Sequence, residues 1–227
     1  YLKDAAGTIT GPDGMYRREV SGVYTTSAIG IDVYGTTRTS QTLGISQRKN
    51  AAGTMVIVGE YTTDATSDIA GQQESSETNG VSKNVLGYET GYYKTTAGFN
   101  AFGTTDESNT YGGSWAYLKD AAGLIVGPDG MYRREVSGSY TTSAIGIDVY
   151  GTTRTSQTVG ISQRKNALGA MVIVGSYTTD ATSDIAGQQE SSETNGVSKN
   201  VLGYETGYYQ TTAGFNAFGT TDESNTY

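Results

Sequence analysis

The chain has 227 residues, with Gly 32, Tyr 18, Pro 2, no Cys, no His and a formal charge of -8. Without Cys there is no disulfide staple or thiol chemistry. Without His the commonest acid–base catalyst is missing, and the acidic balance lacks the Lys/Arg footprint that nucleic acid requires. No apolar run approaches the ~18 residues of a membrane-spanning helix, and the polar, acidic surface argues against a membrane barrel.

In chain order the first signal is Gly11-Pro12-Asp13-Gly14, a β-turn with Pro at its second position. Arg17-Arg18 follows; neighbours in a strand point to opposite faces, so the two read as separate cross-strand ion-pair partners. Ala28 to Tyr34 alternates Ile29, Ile31 and Val33 on one side and reads as a strand, with a reversal at Gly35-Thr36. Leu43 and Ile45 repeat that alternation before a second reversal at Arg48-Lys49-Asn50. Met55-Val56-Ile57-Val58 is apolar on both sides and predicts a central, covered strand. The polar run Gln72 to Asn79 reads as an exposed hairpin arm or loop, and Asn79-Gly80 as a type I′ hairpin turn. Val85-Leu86-Gly87-Tyr88 and Phe99-Asn100-Ala101-Phe102 supply two further predicted strands.

The same series then begins again. Tyr1-Leu2-Lys3-Asp4-Ala5-Ala6-Gly7 returns at Tyr117, an offset of 116, and the match runs unbroken to Tyr111 and Tyr227. Only Gly112-Gly113-Ser114-Trp115-Ala116 has no counterpart. Eight aligned positions differ: Thr8/Leu124, Thr10/Val126, Val23/Ser139, Leu43/Val159, Ala52/Leu168, Thr54/Ala170, Glu60/Ser176 and Lys94/Gln210. The organisation read from this is a β unit at 1–111, a linker at 112–116 and a second unit at 117–227. Apolar content is only 35%, which suits thin β layers better than helical bundles. The predicted class is all-β, with two near-identical tandem domains of six to eight strands. Each would be an antiparallel meander closed as a β-barrel or folded as a β-sandwich; a β-solenoid is the alternative, since Gly-Thr-Thr recurs. Leu124 and Val126, two apart on one strand face, together with Leu168, are expected where the units meet or where chains associate.

Chemistry is sparse. Asp64 and Asp68, with Glu74 and Glu77 nearby, contain enough carboxylates for a glycosidase pair, but a solvated acidic loop accounts for them more simply. Asp64 and Asp68, repeated as Asp180 and Asp184, are weak calcium candidates; the EF-hand spacing is absent and no other cofactor is implied. No phosphate-binding glycine loop occurs. Tyrosine is the informative residue, joining a flat apolar face to a hydroxyl. Tyr92-Tyr93, repeated as Tyr208-Tyr209, must send one ring to each side of its strand, and these rings are the candidate contacts with sugar or another chain. Trp115 in the linker is expected to dock on a neighbouring unit.

The sequence therefore predicts no enzyme. It predicts an extracellular or cell-surface structural or adhesive repeat, partnered by copies of itself and able to assemble into fibres. A duplicated carbohydrate-binding domain that recognises surface glycans is the alternative. A start at Tyr1 without Met implies that a leader, a tag or neighbouring sequence was removed, which points towards secretion. Neither nucleic acid nor membrane insertion is expected.

Overall fold

The computed structural model describes residues 20–117, 134–216 and 219–227. Twelve strands follow one another: β1 (Gly22–Ile31), β2 (Thr37–Lys49), β3 (Met55–Ser67), β4 (Gln73–Lys83), β5 (Glu89–Phe99) and β6 (Thr105–Tyr117) in the first unit. The second contributes β7 (Arg134–Ile147), β8 (Thr153–Lys165), β9 (Met171–Ser183), β10 (Gln189–Lys199), β11 (Glu205–Phe215) and β12 (Thr221–Thr226). They pair in sequence order as a single antiparallel meander, open at β1 and β12. No helix occurs among the described residues, so none there is long and apolar enough to cross a membrane.

The all-β meander with six described strands per unit is what the alternation predicts. The closure is not. In place of two barrels, sandwiches or solenoids there is one open sheet. Residues 112–116 are its interior: they form the second half of β6, where Gly112 pairs with Tyr140 and Ser114 with Gly138 of β7. The unmatched pentapeptide continues the ladder from one unit into the next.

A small motif makes the hairpins. At Asp32 the side-chain Oδ1 accepts the backbone N–H of Tyr34 and of Thr36. The Asp32 N–H donates to the Thr36 carbonyl, and the Gly35 N–H donates back to the Asp32 carbonyl. Gly35 has φ 86, a left-handed value that a Cβ opposes, so the fourth position requires glycine. The first needs a short side chain that bonds its own backbone. Asn50, Asp68, Asn84, Asn100, Asp148, Asn166, Asp184, Asn200 and Asn216 head the same turn, each with a positive-φ glycine three residues on.

This geometry corrects several sequence readings. Val33 and Tyr34 sit in the first turn, beyond the end of β1. Val85 to Tyr88 and Asn100 to Phe102 are turns as well, and Phe102 is 87% exposed. Asn79-Gly80 lies inside β4, and the polar run Gln72 to Asn79 is mostly that strand. Met55 to Val58 opens β3 half-exposed, because no second layer covers it. The Gly11 turn, Arg17-Arg18, Leu124 and Val126 lie outside the described residues.

No hydrophobic or charged side chain is buried among the described residues. Among the described residues the buried positions are six glycines: Gly44, Gly80, Gly112, Gly113, Gly160 and Gly196. The reason is a feature of the sheet's two faces.

Candidate functional site: a repeating sheet face

Side chains alternate along a strand, so residues two apart share a face and paired residues lie side by side on it. The register places a heptad Gly-x-Tyr-x-Thr-x-Ala on the odd strands, as in Gly22 to Ala28, Gly59 to Ala65 and Gly91 to Ala97. It places Ser-x-Thr-x-Gly-x-Ser on the even strands, as in Ser40 to Ser46, Ser76 to Ser82 and Ser108 to Ser114. The named residues all fall on one face, called here the repeating face; the x residues form the variable face. Every bulge lies at the end of a heptad or beyond it, as between Ser46 and Gln47 or Ser114 and Trp115. The heptads themselves stay in unbroken register.

Two rows of the repeating face hold the strands together. One row is threonine on all twelve strands: Thr26, Thr42, Thr63, Thr78, Thr95, Thr110, Thr142, Thr158, Thr179, Thr194, Thr211 and Thr226. Its hydroxyls bond in pairs within each odd–even hairpin, at 2.8 Å for Thr26–Thr42, 2.7 Å for Thr63–Thr78 and 2.9 Å for Thr95–Thr110. The pattern recurs at Thr142–Thr158, Thr179–Thr194 and Thr211–Thr226. The adjacent row alternates Tyr and Gly. Tyr61 lies over Gly44, Tyr93 over Gly80, Tyr140 over Gly112, Tyr177 over Gly160 and Tyr209 over Gly196.

A Cβ on any of those glycines would fall within the ring; on Gly112 it would come to 2.5 Å of Tyr140. The tyrosine fills the space its neighbour vacates, which is the aromatic rescue of a glycine in a sheet. The two devices divide the seams between them. Threonine pairs join odd to even strands, and tyrosine on glycine joins even to the next odd. Desolvation first, then the neighbouring phenols, push the Tyr93 and Tyr177 hydroxyls above the usual tyrosine pKa. The outer rows, Gly/Ser and Ala/Ser, carry nothing larger than serine. No charged residue stands in these four rows.

The variable face is different in kind. Tyr92 rests on Gly113, where a Cβ would lie 2.8 Å away. It packs at 6.0 Å from Tyr111 and 5.2 Å from Trp115, ring to ring, and shares a 3.4 Å hydroxyl contact with Tyr111 that raises its pKa. The Arg134 guanidinium caps Trp115 at 4.5 Å and bonds the Glu89 carboxylate. Beside this cluster runs a trough of about 810 Å³ walled by Val23, Leu43, Ile45 and Val81, with Glu60 and Lys94 on its sides. Glu60 pairs with Lys83 at 2.6 Å and Glu77 with Lys94 at 2.9 Å. The Asn79 amide first, then Lys94, hold Glu77 below its ordinary pKa.

The predicted residues thus separate. Tyr93 and Tyr209 belong to the repeating face, and Tyr92, Trp115 and Tyr208 to the variable one. Tyr208 is 86% exposed. Leu168 lies in the β8–β9 turn and is 93% exposed. Asp68 is engaged as a turn head, accepting from Ala70 and Gln72, whereas Asp64 accepts from the Gln41 amide on the variable face. Asp184 and Asp180 repeat those two roles. No group of three or more metal-ligating side chains converges among the described residues. The threonine row and the Tyr/Gly row escaped sequence reading; their signal was the pair of heptads, visible once every second residue is compared.

Comparison with family models, curated proteins and solved structures gives no significant match. The functional reading therefore rests on this geometry.

Proposed function

We propose that the chain is a structural or adhesive module of extracellular or cell-surface material, working through extended sheet surface and carrying no catalytic centre. The observation that supports this is the repeating face: four charge-free rows kept identical through successive hairpins, on a sheet whose only buried positions among the described residues are glycines. Folded chains are stabilised chiefly by apolar burial between two layers. A single layer gains that stabilisation when something else lies on it, as in a fibre or a coat. Copies of the same chain are the natural partners. Electron microscopy and fibre diffraction of concentrated protein test the reading: filaments or sheets giving reflections near ~4.8 Å and ~10 Å are expected. A monodisperse monomer at millimolar concentration refutes it.

A second reading draws on the Tyr92–Tyr111–Trp115 cluster and its trough, whose aromatic walls and polar sides suit a surface glycan. Saturable binding on a glycan array, abolished by Tyr92→Ala, is its expected signature; an array without a single binder dismisses it.

A further inference from the structure

We propose that the repeating face is the assembly surface, and that its occupant is the repeating face of a second copy, laid sheet on sheet. This rests on the self-assembly reading above and specifies which side mates. Three observations carry it.

The first is cost. Burying charge is expensive, and the variable face would bury Asp64, Glu77, Asp180 and Glu193 along one row. The four rows of the repeating face hold no charge to bury, and their threonine hydroxyls already bond within their own sheet. The second is shape. Each of the five tyrosines from Tyr61 to Tyr209 packs into the vacancy of a glycine, and apart from Tyr24 on the edge strand β1 every other side chain in the four rows is Thr, Ser or Ala, so the surface is even from strand to strand. Evenly repeated small and hydroxyl side chains with low charge are the composition of dry sheet-to-sheet interfaces. The third is size. Twelve strands about 4.8 Å apart and four rows about 7 Å apart cover on the order of 1,500 Å² per partner. Two such surfaces bury about 3,000 Å², within the range of permanent assemblies.

Periodicity selects a second copy over an unrelated protein. A partner must offer matching contacts at every strand spacing, and another such sheet has that spacing by construction. The mated pair would carry its carboxylates and lysines outward.

The chain contains no cysteine, so single thiols report each face cleanly. Ser76→Cys places one on the repeating face and Glu77→Cys one on the variable face, adjacent in β4. Maleimide labelling of assembled protein, compared with dilute monomer, is expected to slow at least tenfold for Ser76→Cys and less than twofold for Glu77→Cys. Circular dichroism confirms that both variants keep the sheet, and Ser192→Cys in β10 repeats the test in the second unit. Assembly with Glu77→Cys protected and Ser76→Cys open overturns the face assignment and leaves self-assembly standing. No assembly at any concentration overturns both. Protection of Ser76→Cys that appears only when chitin or cellulose particles are added shows a polysaccharide on this face and overturns the second copy.

Discussion

The two faces of this sheet differ in what they tolerate. Six of the eight positions at which the units differ lie within the described residues. Val23/Ser139, Leu43/Val159, Glu60/Ser176 and Lys94/Gln210 all project from the variable face, and Ala52/Leu168 and Thr54/Ala170 lie in turns. None touches the repeating face. The same contrast holds at finer grain: between the first two even strands, Gln41, Leu43 and Ile45 become Glu77, Asn79 and Val81, while every named heptad position is retained. A side chain on the variable face answers to one or two neighbours. A side chain on the repeating face is one member of a row that crosses the molecule. Identity follows the row.

The largest effect is expected from a side chain placed beneath a ring. Gly80→Val should cost about 2–3 kcal/mol by denaturant titration, because the Tyr93 ring has nowhere else to pack. Its neighbour Asn79→Val, on the other face of the same strand, should stay within about 0.5 kcal/mol. Equal effects would mean the faces are not distinct.

Next in size is truncation of two tyrosines with the same local sequence. Tyr92→Ala removes a ring packed against Tyr111, Trp115 and Gly113 and should lose about 1–2 kcal/mol, whereas Tyr208→Ala removes an exposed one and should be nearly silent. A loss at Tyr208 as large as at Tyr92 would show that neighbourhood is not what counts.

A smaller effect concerns pH. The Tyr93 and Tyr177 pKa values are raised in the folded sheet. Their contribution is therefore complete below the ordinary tyrosine value near 10 and fades as pH climbs through the folded values. Phenolate absorbance should resolve a late-titrating class, with stability falling over the same interval; a single transition at the ordinary value would contradict it.

The least change is expected from Glu60→Ser, the exchange that the second unit already contains at Ser176. It removes the exposed pairing with Lys83 and should move stability by a few tenths of a kcal/mol.

Much of the fold was legible beforehand, and the failures share one cause. The all-β character, the antiparallel meander and the reversals at Gly35-Thr36 and after Arg48-Lys49 follow from local alternation and turn chemistry. Closure is not legible in the sequence, because apolar residues in this chain do not mark a core. Val85, Leu86 and Phe102 instead decorate turn tips, where Asn84 and Asn100 with Gly87 and Gly103 dictate the backbone. Asn79-Gly80 has the composition of a type I′ turn, yet Gly80 is there to receive the ring of Tyr93. That requirement lies on another strand and leaves no local trace. The candidate surface was hidden for a related reason. Interposed variable residues and unequal hairpin spacings, with Tyr24, Tyr61 and Tyr93 at irregular intervals, conceal heptads that only register brings into line.

The alternation of two seam types has a last consequence. Because a threonine pair closes each hairpin and a tyrosine on glycine fastens it to the next, the hairpin is the smallest segment that can be added or removed without leaving a mismatched joint. Genetic gain or loss of whole hairpins would lengthen or shorten the molecule like links in a watch strap, and any odd strand left over would set glycine against glycine or ring against ring.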